Sequence, residues 1–162
     1  MTAGAVTELL RFLEEQGLEI HVDGGWAVDA LLGEQTRPHD DLDIAIPHSQ
    51  VPALRAVLET RGFRDYARKD SWECNFVLAD HHDNRLDVHA YKPDGAGVPY
   101  PAESLTGKGT IDGQPVRCID PEWLVKFHTG YEPDDNDRHD AQRLCNRFNI
   151  APPSEYCEEL RR

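Results

Sequence analysis

Positive charge is scarce in this chain: Lys and Arg together number 17 against 30 Asp and Glu, a formal net charge of −13 over 162 residues. Phosphate backbones are held by cationic faces, so a dedicated nucleic-acid binder is disfavoured and no nucleic-acid partner is expected. Long apolar runs are missing too, which leaves no candidate for a membrane-spanning helix and no membrane partner. The opening Met1-Thr2-Ala3-Gly4 leads into a charged amphipathic stretch without the basic flank and apolar core of a signal peptide, so a cytoplasmic location is the expectation. The four cysteines, Cys74, Cys118, Cys145 and Cys157, make no Cys-x-x-Cys pair and no zinc-ribbon spacing, which points to reduced thiols. Internal repeats and low-complexity tracts are absent.

What is present suits a compact globular enzyme: 39% of residues are hydrophobic and 29% charged. The carboxylate surplus favours encounter with divalent metals or a cationic small molecule. Along the chain, Val6, Leu9, Leu10, Phe12 and Leu13 recur at helical spacing, with Gly17 as a stop. Residues 19–23 alternate as a strand, Gly24-Gly25 makes a tight turn, and 26–32 reads as a helix ended by Gly33. A second strand is expected over 40–46, closed by Pro47, then a helix over 50–62 and a short edge strand over 63–69. Two strands, 73–79 and 85–91, flank the polar turn at His81-His82-Asp83-Asn84. Residues 93–101, rich in Gly and Pro, form a loop, and 107–111 and 114–119 pair as a small hairpin about Gly113. Helices over about 121–131 and 135–148 finish the chain. Helices interleave with strands while the later strands come in hairpins, so the class is α/β (α+β) with a mixed sheet flanked by helices. A catalytic core over 1–119 and a helical segment over 120–162 packed on it are the expected divisions.

Three features carry chemistry. Asp41 and Asp43 lie two apart on a strand and therefore present two carboxylates to one face. Such charges repel until neutralised, and Mg²⁺ is commonly held by one or two carboxylates together with phosphate oxygens. Asp87, on a later strand, can complete a two-metal site or accept the proton of an attacking hydroxyl. Between a strand and a helix, Gly24-Gly25 lets backbone N–H groups approach phosphates, and the helix start adds positive potential.

The order Gly24-Gly25, Asp41-Leu42-Asp43-Ile44 and a distal Asp87 resembles the nucleotidyltransferase superfamily typified by DNA polymerase beta. The longer stretches Asp23-Gly24-Gly25-Trp26-Ala27-Val28-Asp29 and Thr36-Arg37-Pro38-His39-Asp40-Asp41-Leu42-Asp43 are similar to its antibiotic-modifying branch, the lincosamide and aminoglycoside 2''-nucleotidyltransferases. Leu86-Asp87-Val88-His89, Phe127-His128-Thr129-Gly130-Tyr131 and the short length look more like the lincosamide enzymes. The resemblance spans about residues 20–144.

It implies a minimal nucleotidyltransferase fold and transfer of a nucleoside monophosphate from a Mg²⁺-bound nucleoside triphosphate, ATP first, to a hydroxyl of a cationic antibiotic, a lincosamide first and an aminoglycoside next, which inactivates it. Asp41, Asp43 and Asp87 would hold two Mg²⁺ ions, with Asp87 as base. Gly24 and Gly25 would hold the β and γ phosphates; relatives more often carry Gly-Ser there, so Arg37 and Lys126 are candidates to neutralise the triphosphate. Each has a plainer reading, Arg37 as partner of a local carboxylate and Lys126 as a solvated side chain. His89 and Tyr91 are candidate substrate contacts, although His89 fits a structural role as well. Asp140 is expected to pair with a cation such as Lys126, and Trp26 to pack in the core. Asp134-Asp135-Asn136-Asp137 reads as an acidic helix start, since the alternation of a calcium loop fails at Arg138. A homodimer would wall off the acceptor cleft of so short a chain. The alternatives are an antitoxin-type nucleotidyltransferase that modifies a partner protein, and a catalytically idle binding module.

Overall fold

The computed structural model describes residues 1–156. Its strands are β1 (His21–Asp23), β2 (Asp41–Pro47), β3 (Arg64–Tyr66), β4 (Asn75–Ala79), β5 (Arg85–Tyr91), β6 (Gly107–Ile111) and β7 (Gln114–Cys118). The helices are α1 (Ala3–Glu15), α2 (Gly24–Leu32), α3 (Val51–Glu59), α4 (Pro121–Phe127) and α5 (Asp135–Phe148). Among the described residues one seven-stranded mixed sheet runs in the order β3-β4-β5-β2-β1-β7-β6. β2 pairs parallel with β5 and β1 parallel with β7, whereas the remaining pairs are antiparallel. The α+β class and mixed sheet expected from the sequence are thus present.

Alternation decides the faces. Leu42, Ile44 and Ile46 of β2 and Leu86, Val88 and Ala90 of β5 are all fully buried. They form one core with Val6, Leu9, Leu10 and Leu13 of α1 and Leu54 and Leu58 of α3. Residues between them, including Asp41, Asp43, Asp87 and His89, therefore face the other side of the sheet. Trp26 is 1% exposed and belongs to the core, as expected.

Helix limits follow local chemistry. The Thr2 hydroxyl caps α1 by accepting from the Ala5 N–H at 3.2 Å. Gly33 ends α2 in the left-handed conformation at φ 75°. A 3₁₀ turn, His48–Gln50, precedes α3, which stops at Glu59 rather than running on to Gly62. Asp120 caps α4 through the Glu122 and Trp123 N–H groups, and the helix stops at Phe127, short of residue 131, where His128 and Thr129 tighten the last turn by bonding three residues back and Gly130 then turns left-handed at φ 88°. At the start of α5 Asp134 and Asp137 form a capping box, which accounts for the acidic run without a calcium loop. The edge strand expected over 63–69 contracts to β3, and a 3₁₀ segment, Ala102–Thr106, appears where no element was expected. Cys74, Cys118 and Cys145 are buried free thiols; Cys157 lies outside the described residues. Among the described residues no helix is long and apolar enough to cross a membrane.

His21 on β1 is 4% exposed, and its Nδ1 has no hydrogen-bond partner. Burial first, and then the charge of Arg117, hold its pKa below 6.5. The unfolded chain therefore binds a proton here at a higher pH than the folded chain, so stability falls as pH drops below 6.5. Between about pH 7.5 and about pH 5.5 the urea midpoint should fall further in the wild type than in His21→Gln. Equal declines would show that His21 does not shape the pH dependence of stability.

Candidate active site

The register of three neighbouring strands builds the site. Asp23 on β1 pairs with Asp43 on β2, and Asp43 pairs with Asp87 on β5. Directly paired residues share a face, so three carboxylates stand in a row across the sheet, with Asp41 two residues along β2. Sequence reading found Asp41, Asp43 and Asp87 and missed Asp23, which it took only as the last residue of a strand before the glycine turn. It is a cap as well: its Oδ1 accepts from the Gly24 N–H at 2.8 Å. Its Oδ2 accepts the phenol O–H of Tyr100, which reaches in from the Gly- and Pro-rich loop. Burial first, then the Asp23 charge, push the Tyr100 pKa well up, so the phenol remains a donor.

Cationic side chains meet two of these carboxylates. The Nε2 of His89 lies 3.3 Å from Asp43 Oδ1 and 3.7 Å from Asp87 Oδ1. Arg68, from the segment after β3, donates through Nη1 to Asp87 Oδ2 at 2.7 Å and through Nε and Nη2 to Asp70. Asp87 Oδ1 is buried and accepts no hydrogen bond. Burial, followed by the charges of Asp87 and Asp40, raises the pKa of Asp41. Asp43 is raised by burial first, with the charges of Asp41 and Asp23 adding and the His89 hydrogen bond opposing. For His89, burial disfavours the imidazolium, but the hydrogen bond to Asp43 and the charges of Asp43, Asp87 and Asp23 outweigh it and raise the pKa. One ligand atom each from Asp43, Asp87 and His89 lies within 4.8 Å of the other two. Repelling carboxylates, a bare buried oxygen and converging ligand atoms fit a divalent cation.

The glycine turn touches this cluster. Gly24 has φ 59°, and a Cβ built there would run into the Asp43 carboxylate. The turn and the metal-type carboxylates are therefore in direct contact. The first N–H groups of α2 lack intrahelical partners and carry the positive end of the helix dipole to the same place. A Cβ on Gly25 would lie 2.5 Å from His39 Nδ1 and 2.6 Å from Arg37 Nη2, so the loop before β2 fills the room a serine side chain would need.

The structure distributes the other expected residues as follows. Arg37 stands beside Gly25 and donates from Nε at 3.0 Å and Nη2 at 2.6 Å to the two oxygens of Asp140 on α5. The expected pairing of Asp140 with Lys126 is thus corrected: Asp140 is 1% exposed, and a planar guanidinium matches both carboxylate oxygens where an ammonium cannot. Lys126 is exposed, with its ammonium 4.3 Å from the Trp123 ring centre. His89 joins the carboxylate cluster. Tyr91, four residues beyond Asp87 on the same face of β5, lines a cavity with Val98, Pro99, Leu105 and the Tyr100 that also bonds Asp23.

A turn of two glycines packed on carboxylates from two adjoining strands is the arrangement that the sequence resemblance leads one to look for. Residues 5–144 match the family model described as aminoglycoside-2''-adenylyltransferase. The chain belongs to this family. A 2''-aminoglycoside nucleotidyltransferase of Escherichia coli is 34% identical over 125 residues, 74% of this chain and 68% of that relative. A lincosamide resistance protein of Staphylococcus haemolyticus is 25% identical over 148 residues, 84% of this chain and 89% of that protein. Among solved structures, ANT(2")-Ia in complex with adenylyl-2"-tobramycin superposes with a TM-score of 0.74 at 26% identity, covering 98% of this chain and 94% of that one. The antibiotic-modifying branch named from the sequence is therefore the right one, and the family's members carry nucleotidyltransferase names.

Because the Gly25 position is filled by its neighbours, Gly25→Ser should lower stability by about 1–3 kcal/mol through displacement of His39 or Arg37. Urea unfolding measures this directly, and a variant as stable as the wild type would show that the loop yields freely.

Proposed function

We propose that this chain transfers a nucleoside monophosphate from a nucleoside triphosphate, ATP first, to a hydroxyl of an amine-bearing antibiotic of the aminoglycoside or lincosamide type. The observation that supports this best is the contact between Gly24 and the Asp43 carboxylate. A triphosphate gripped by the start of α2 would lie against Asp43, with Asp87 on the next strand. Asp41, Asp43 and Asp87 would hold Mg²⁺, which when bound neutralises phosphate charge and aligns the triphosphate for in-line attack. Gly25 and the following N–H groups of α2 face the β and γ phosphates. Asp87 Oδ1, bare of hydrogen bonds, accepts the proton of the acceptor hydroxyl as its oxygen bonds to the α-phosphorus and pyrophosphate departs. In the absence of metal, His89 between Asp43 and Asp87 limits their repulsion. Arg37, held on Asp140, stands where it meets phosphate charge; Lys126, exposed on α4, is the weaker candidate.

The two acceptor classes are supported by different relatives. The family model and the higher identity favour aminoglycosides, while the lincosamide relative is matched over more of its length. Both kinds of antibiotic carry amines, which an acidic protein attracts. The relatives are named for antibiotics, and this does not favour the protein-modifying alternative.

Mass spectrometry of tobramycin, kanamycin, lincomycin and clindamycin after incubation with protein, MgCl₂ and each common ribonucleoside triphosphate tests the reading. A nucleoside monophosphate adduct is expected on one class, and no adduct on any drug would overturn the acceptor assignment. Asp41→Asn and Asp43→Asn should reduce turnover by about 100-fold or more through lost metal binding. Asp87→Asn should do the same while leaving triphosphate affinity within about threefold of wild type. Wild-type rates in any of the three variants would sink the assigned roles.

A further inference from the structure

The loop from Thr36 to His39 runs from α2, which carries the glycine turn, straight into β2, which carries Asp41 and Asp43. Two buried carboxylates tie it down. Asp140 takes Arg37, and Asp29 on α2, 3% exposed, takes both ends of the loop. Asp29 Oδ1 accepts the Thr36 N–H at 3.0 Å and the Thr36 hydroxyl at 2.7 Å, and Oδ2 accepts His39 Nε2–H at 2.5 Å. The His39 ring is 6% exposed, lies 4.6 Å from the Trp26 ring, and turns its Nδ1 edge toward Gly25. His39 is thus wedged between Asp29 behind it and the glycine turn in front.

A carboxylate and an imidazole buried together cost solvation that an apolar pair of the same volume would not, so net stability is a poor reason for them. Their directional bonds fix one position of the ring, and that position sets how close the turn can come to β2. We propose that Asp29 and His39 are positioning residues that hold the Gly24–Gly25 turn against the carboxylate strand in the geometry that grips a triphosphate. Neither residue touches substrate; both act through the turn. The inference rests on the proposed function for its ligand, but the position of the turn can be measured without any ligand.

The experiment pairs hydrogen exchange of the Gly24 amide, read by NMR against the α1 amides as reporters of global opening, with binding of inorganic tripolyphosphate in the presence of Mg²⁺. His39→Ala should speed Gly24 exchange by about tenfold with α1 unchanged, and weaken tripolyphosphate binding by about tenfold. His39→Gln, whose side-chain N–H can still meet Asp29, should return both to within about threefold of wild type. Asp29→Asn keeps the volume and loses the charged acceptor; it should follow His39→Ala, and it carries the test if that variant does not fold. Gly24 exchange that stays at the wild-type rate, or rises only in step with α1, would overturn the proposal. If the wild-type protein does not bind tripolyphosphate, the proposed function fails, while Gly24 exchange still decides whether His39 holds the turn.

Discussion

Like-charge repulsion governs this molecule. Asp23, Asp41, Asp43 and Asp87 converge on one face of three neighbouring strands, and a sheet that collects four carboxylates must neutralise them or pull apart. Three of the four are met differently: Asp23 by the Gly24 N–H and the Tyr100 hydroxyl, Asp43 by His89, and Asp87 by Arg68. Burial raises the pKa of Asp41 and Asp43 because the protein's own donors do not compensate them fully. The opposite face of the same strands is solidly apolar, so register cannot slip to relieve the strain: a shift by one residue would bury the aspartates and expose Leu42, Ile44 and Ile46. Core packing thus enforces an arrangement that electrostatics alone would disperse, leaving carboxylates whose charge is not fully compensated.

Much of this was legible in the sequence because it has a period. The two-residue alternation of Asp41-Leu42-Asp43-Ile44 gives the strand, its buried side and its functional side at once. The same alternation in Leu86-Asp87-Val88-His89 places Asp87 and His89 together, and the structure bears out both strands. The glycine turn was visible because few residues other than glycine tolerate φ near 59°, though the reason it must be glycine, collision with Asp43, is a tertiary fact.

What escaped sequence reading lacks any local signal. Asp23 reads as the end of a strand; only the β1 and β2 register shows that it also stands beside Asp43. Arg37 and Asp140 are 103 residues apart, so nothing in spacing could prefer Arg37 over Lys126 as partner. Arg68 sits in what read as the end of an edge strand, and Tyr100 in a loop whose composition shows only that it turns. Helix ends were misjudged for a related reason. The expected α3 and α4 ran past their stops into Thr60-Arg61-Gly62 and His128-Thr129-Gly130-Tyr131, stretches without an apolar period, where Gly62 and Gly130 turn the backbone left-handed.

The cations around the site belong to the same balance. Arg37 is committed to Asp140, and Arg68 to Asp70 and Asp87, so each brings its own countercharge. On the proposed reading, the field met by an arriving ligand is therefore negative, which attracts an amine-bearing acceptor and repels a bare triphosphate. A triphosphate already carrying Mg²⁺ has much of its charge cancelled and meets the glycine turn and the carboxylates as one body. The direct contact of Gly24 with Asp43 then has a physical purpose. On that reading it sets the amides that would meet phosphate beside the oxygens that would meet the metal, so that one ligand would span both.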